Sequence, residues 1–227
     1  LLRGNACIGV LVLGSTRANA FGDKAIALAE SFRDQALIAI ENTRLFNETR
    51  DALEQQKASG EVLAAISSSI ADTAPVFEKI LTSCERLFEG KLIGVNLVGE
   101  DGMIRLGAYH GPAREELEKI FPAPIDGSTG SGAAILARGV LHFPDVERGE
   151  DVPAKVTRGC RAIGVRSIVF APMLWEGRGI GAIFVGRALT APFSDKEIAL
   201  LKIFADQAVI AIQNARLFNE TREALER

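Results

Sequence analysis

Few residue types able to do chemistry occur in this chain, and they stand far apart. The histidines are His110 and His142, and the cysteines are Cys7, Cys84 and Cys160. Neutral imidazole is a common axial ligand of haem iron, which makes His110 a candidate, although a lone histidine signals little. With Cys160 the two histidines form at most a partial zinc set, and the spacings match no zinc pattern. The run Gly127 to Gly132 reads G-S-T-G-S-G and precedes a predicted helix. Backbone N–H groups at such a turn attract anions, so Thr129 and Gly130 are candidates for holding a phosphate or carboxylate. A phosphate loop needs Lys after the last glycine, and Ala133 stands there. The plainer reading is a loop and a helix cap. His142 and Asp145 flank a short predicted strand, and the plainer reading makes one a half-buried polar residue and the other a turn cap. Cys160 becomes a reactive thiol only if a cation lowers its pKa, and Arg161 and Arg166 are near in sequence. A buried, inert thiol is the simpler alternative. No nucleophile–base pair and no paired carboxylates can be named, so an enzyme is not expected.

Composition narrows the class further. The chain has 227 residues, 48% hydrophobic and 24% charged, with a formal net charge of −3. Its length suits one domain of about 150 residues with extra elements, or two small ones. Lys and Arg are scattered among Asp and Glu, so neither nucleic acid nor an anionic membrane is an expected partner. An odd, sparse cysteine set is no disulfide framework, and a reducing cytoplasm is the simplest setting. No apolar run approaches the roughly 20 residues that span a bilayer, so direct membrane insertion is not expected. The chain opens on Leu1 rather than Met and reads as excised from a longer protein.

An internal repeat organises these residues. Ile8–Gln55 aligns without gaps to Ile180–Arg227, offset by 172, with 27 of 48 positions identical. A period this long is that of tandem domains, not of a solenoid. The predicted division is therefore residues 1–50 as the end of an upstream domain, 51–73 as a helical linker, 74–216 as a complete domain, and 217–227 as the start of the next linker.

The elements that must position the candidates can be read in outline. Residues 7–14 form a short apolar run that predicts a buried strand. No Pro interrupts 23–73, which predicts one helix over about 23–70. Asp72 or Thr73 then caps a helix ending near Gly90, with Pro75 in its first turn. Strands are predicted at 93–98 and 103–109 around an Asp-Gly turn, at 140–143, and at 166–174 and 179–187 around W-E-G-R. Short helices are predicted after Pro112, at 131–138 and within 144–163, and a long one from Asp195. Adjacent hairpins with helices packed against them make an α+β layer fold with a mainly antiparallel sheet.

Three segments carry a resemblance. H-F-P-D-V at 142–146, the run from Arg166 to Val185, and the run from Pro192 to Phe218 resemble the GAF domain family, a relative of PAS domains. The linker 53–69 resembles the inter-domain helices of tandem, multi-GAF bacterial sensor histidine kinases. The resemblance covers about 74–216. It implies a sheet with a small-molecule pocket on one face and long terminal signalling helices on the other. On that reading His110, Thr129, Gly130, His142, Asp145, Cys160 and Ser167 are the candidate ligand contacts, and the cofactor is unknown. Some family photoreceptors attach a bilin to a Cys near Cys160, but a His follows theirs and Arg161 follows here. The family's cyclic-nucleotide signature is not matched.

The helices also suggest assembly. Within 23–70 a heptad seam from Ile38 through Leu45 and Leu63 to Ile66 and Ile70 competes with one through Ala39, Phe46, Leu53 and Gly60. The competing seams suggest a weakly specified parallel coiled coil, hence a homodimer through helices 23–70 and 195–227. An amphipathic helix lying on its own domain is the alternative. The expected function is a cytoplasmic sensory domain that relays small-molecule binding through helices to an output domain of histidine kinase type. The rival is a ligand-free spacer with a degenerate pocket.

Overall fold

The structure is a computed structural model that describes every residue except 4, 5, 70, 89–91, 150 and 227. It divides into two compact units, residues 1–54 and 55–227.

In the first unit, β1 (Leu2–Arg3) pairs antiparallel with β2 (Ala6–Cys7). Residues 8–14 carry no strand, which corrects the expectation of a buried strand at 7–14; Val10 and Val12 are 75% and 79% exposed. An apolar run buried on both faces needs neighbours on both sides, and the described residues of this unit supply none. Helix α1 (Asp23–Ser68) begins here. Leu28 and Phe32 repeat Leu200 and Phe204 of the second unit, yet they are exposed while the later pair is buried. The end of the predicted helix, Ile70, lies outside the described residues, as does the predicted stop at Gly90.

The second unit holds a six-stranded antiparallel sheet. Its strands are β3 (Leu92–Val98), β4 (Met103–His110), β5 (Ala123–Pro124), β6 (Leu141–Phe143), β7 (Ser167–Trp175) and β8 (Arg178–Arg187), in the order β5-β4-β3-β8-β7-β6. The two-residue turn Glu176-Gly177 has positive φ at both positions, 47° and 77°. That geometry matches the twist of the flanking strands and favours Gly. The two-residue strand β5 is not among the elements expected from the sequence. It lies on the sheet edge, pairing Met103 with Pro124, where Pro costs no ladder bond.

Both faces of the central strands are covered. One face packs on α2 (Ala74–Phe88), α6 (Asp195–Leu225) and the last turns of α1, through Ile93, Val95, Val169, Ile183 and Val185. Ala58, Val62 and Ile66 of α1 are buried in that layer, so this part of the helix lies on its own domain. The other face packs on α4 (Gly130–Ala137) and α5 (Ala154–Ile163), with α3 (Arg114–Glu118) nearby, through Leu92, Ile168, Phe170 and Phe184. Strand side chains alternate between faces, so neighbouring residues of β7 and β8 serve opposite layers.

Helix α6 starts at a capping box. Ser194 Oγ accepts the Glu197 N–H at 3.3 Å and Glu197 Oε2 accepts the Ser194 N–H at 2.7 Å. Among the described residues α6 alone is long and apolar enough to cross a membrane, against the expectation of no such run. Half of that stretch is buried inside the domain, as in a core helix.

Candidate functional site

A cavity of about 60 Å³ lies between the second face of the sheet and the short helices. The sheet supplies its floor through Leu92, Ile168, Phe170 and Phe184, and α5 supplies Val156, Cys160 and Ile163. A wider hollow of about 310 Å³ shares Leu117, Ile120, Lys155, Gly159 and Ile163 with it, and adds the charged rim of Glu116, Lys119 and Arg158. The packing is close: a Cβ at Gly130 would run into the Phe170 ring, and one at Gly94 into the Phe184 ring. The centroids of the two rings are 6.0 Å apart and their planes are tilted by 37°. Glycine lets the backbone approach the rings at these two points.

At one end of this mainly apolar cavity lie three nearly covered polar side chains, Asn96, Thr129 and Ser131. Asn96 of β3 is 1% exposed, and its Nδ2 donates to Ser131 Oγ at 2.8 Å. Among the described residues its Oδ1 has no hydrogen-bond partner. A β-bulge sets its neighbourhood: Val95 pairs with Ala108 and Asn96 with Leu106, so Gly107 is the extra residue. Bulges re-aim side chains and often border sites. Thr129 caps α4, its Oγ1 accepting the Gly132 N–H at 3.1 Å. The N–H groups of Gly130 and Ser131 open that helix and have no acceptor within it. At the mouth Lys155 Nζ donates to Ser128 Oγ at 3.0 Å.

The GAF domain sequence profile matches residues 72–212. The chain belongs to the GAF domain family. Its fold agrees with solved structures. The free methionine-R-sulfoxide reductase of Neisseria meningitidis, in complex with its substrate, has a TM-score of 0.62 at 18% identity, over 74% of this chain and 93% of that one. The GAF domain of a phosphoenolpyruvate-protein phosphotransferase from Coxiella burnetii has a TM-score of 0.62 at 11% identity, over 74% and 98%. A domain described as part of a two-component sensor histidine kinase protein from Sinorhizobium meliloti 1021 has a TM-score of 0.54 at 20% identity, over 65% and 94%. No curated protein sequence matches significantly.

The GAF cavity gathers three of the seven residues singled out above, Thr129, Gly130 and Cys160. The other four lie elsewhere. His110 ends β4 on the helix-covered side, with Nε2 3.0 Å from Glu78 and Nδ1 3.2 Å from Glu85, both on α2. His142 faces the same side, where its Nε2 accepts the Phe193 N–H at 3.0 Å and its ring meets that of Phe193 edge-on. Ser167 is fully buried on that side too, its hydroxyl donating to Leu189 O at 3.0 Å. All three follow strand alternation: Tyr109, Leu141, Phe143 and Ile168, their immediate neighbours, belong to the cavity-side cluster. Asp145 caps its own turn, its Oδ1 accepting the N–H groups of Glu147 and Arg148.

Cys160 lacks the cations suggested for it. Arg161 and Arg166 both turn to Glu147, at 3.7 and 3.0 Å. Burial pushes the Cys160 thiol up to about 12, so at neutral pH the nucleophilic thiolate is scarce. Among the described residues no group of three or more His, Cys, Asp or Glu is placed to hold a metal. The residues that sequence reasoning missed are Asn96, Ser131 and Lys155. A signal for the first was present, since Asn96 is the one polar side chain in the apolar strand L-I-G-V-N-L-V.

Proposed function

We propose that this GAF domain is a cytoplasmic sensory module that binds a small molecule in the cavity and relays occupancy through α6 to an output domain, of histidine kinase type, in a two-component pathway. The observation that carries the reading is that cavity and α6 lie on opposite faces of the same strands. Phe170 and Phe184 border the cavity, while Val169, Ala171, Ile183 and Val185 pack in the helix layer. Strand β8 then ends at Arg187, which ties it to α6. The Arg187 guanidinium pairs with Glu197, lies 4.0 Å over the Phe193 ring, and donates to Phe88 O at 2.7 Å. A ligand that binds one arrangement of this junction better than another shifts α6 by that difference in affinity. The Neisseria reductase holds a small substrate and the Sinorhizobium domain belongs to a sensor kinase protein; both roles are carried over here as part of the proposal.

The test is native mass spectrometry with hydrogen exchange, on the protein alone and with a metabolite panel. The expected result is one ligand per chain with slowed exchange in β8 and the first half of α6. A ligand that protects the cavity residues and leaves α6 unchanged refutes the relay.

The rival reading, a ligand-free dimerisation module, also has an observation in its favour. Ile203, Ile210 and Leu217 recur every seven residues along α6 and are 46%, 47% and 60% exposed. Such spacing is that of one position of a coiled-coil heptad, and we assign it to a second copy of this chain in parallel, with α1 as the companion helix. A dimer is compatible with either reading, and ligand occupancy of the cavity separates them.

A further inference from the structure

Resting on the reading of the cavity as a ligand site, we infer that its ligand presents a hydrogen-bond donor, N–H or O–H, directly beside an oxygen acceptor, on a short apolar body. The donor is required by Asn96. Its Oδ1 is buried without a partner among the described residues, while Nδ2 is already committed to Ser131. A buried acceptor left unpaired costs free energy, so a ligand that brings an N–H or O–H gains what the empty domain lacks. The acceptor is required by the groups across from it. The hydroxyls of Thr129 and Ser131 are 4% and 1% exposed, and each already accepts one bond, which leaves its proton to give. The free N–H groups that open α4 add the positive end of a helix. The remaining walls, among them Phe170, Phe184, Val156 and Ile163, are apolar apart from the weakly donating Cys160 thiol and Lys155 at the mouth. The space of about 60 Å³ adjoins the wider hollow of about 310 Å³ at Leu117, Ile120 and Ile163, so the polar pair sits in the inner part and a short apolar tail points toward the hollow. A primary carboxamide and a 2-hydroxy acid both carry the required pair. The first is neutral, and the second would bring its carboxylate toward α4 and the Lys155 ammonium at the mouth.

Four probes of similar size separate these terms in an NMR titration of the full chain, following the Asn96 side-chain amide and the backbone amides of Gly130 and Ser131. Pentanamide and 2-hexanone are neutral, with and without a donor. 2-Hydroxypentanoate and pentanoate are anionic, with and without a donor. Each donor-bearing probe should bind about tenfold more tightly than its partner, and Asn96→Leu should erase that difference. Stronger binding of pentanamide or of 2-hydroxypentanoate then identifies the neutral or the anionic member of the class. If 2-hexanone and pentanoate bind as tightly as their partners, the donor requirement is wrong while the cavity remains a ligand site. If none of the four binds, the assignment and the ligand-site reading fall together. The comparison within the unmodified chain decides this even if Asn96→Leu fails to fold.

Discussion

Nε2 of His142 accepts the Phe193 N–H, so the bond exists only while that nitrogen is unprotonated. Burial holds its pKa below the ordinary value of about 6.5. The Arg187 cation adds to this, and Glu197 opposes it. Because the folded value lies below the unfolded one, the unfolded chain takes up the proton first as pH falls. The stabilisation is therefore complete above about pH 6.5 and is lost progressively below it. We expect the wild-type chain to lose more thermal stability between about pH 7 and pH 5.5 than His142→Gln, which keeps an acceptor and does not titrate. Equal losses in thermal melts would dismiss the idea. A second residue-scale prediction concerns Gly130, where a methyl group meets the Phe170 ring. Gly130→Ala should cost on the order of 1–3 kcal/mol in urea unfolding through overpacking, and should weaken any ligand held by α4. Most of the mis-sited candidates share one cause. His110, His142 and Ser167 attract attention because their side chains are versatile, but strand parity assigns each to the face opposite the cavity. That parity was readable in the sequence from Tyr109, Leu141, Phe143 and Ile168. The Asn96 oxygen, unpartnered among the described residues, was not, because which end of the amide is left over depends on Ser131, 35 residues away, taking the Nδ2.

At the scale of elements, the strands and helices of the second unit fall within a few residues of their sequence-based bounds. Turn chemistry and apolar runs are local and give the hairpins β3–β4 and β7–β8, whereas the β3–β8 pairing that joins them is a long-range contact. The edge pair β5 and the bulge at Gly107 were not legible, since both exist only through pairing with a distant strand. The run at 7–14 shows the reverse: the apolar pattern of a buried strand does not make one without neighbours. Among the helix ends, the capping box of α6 has the most at stake, because Glu197 both closes the box and pairs with Arg187. Ser194→Ala should cost about 1 kcal/mol. Glu197→Gln should cost more than a surface charge would, since it frees the half-buried Arg187. Chemical denaturation of the two variants and their double mutant measures the coupling. Strict additivity would mean that cap and ion pair act separately.

For the whole molecule, the exposed seam on α6 is the feature that bears on assembly. Leu217→Glu together with Ile210→Glu places like charges at successive heptad positions of facing helices. The pair should convert a dimer to a monomer in light scattering while leaving the fold's circular dichroism unchanged. A wild-type chain that is monomeric at high concentration would remove the seam argument. From residue 216 onward α6 is exposed on every side, yet it runs on as helix to Leu225, and no Gly or Pro interrupts it after Asp195. An unbroken rod of this kind carries angle as well as distance. Each residue advances the chain by about 1.5 Å and turns it by about 100°. The tip of the rod at Leu225 is therefore held at a fixed phase to the sheet: inserting one or two residues beyond Ala215 would swing it to another side, and inserting seven would return it nearly to the original one.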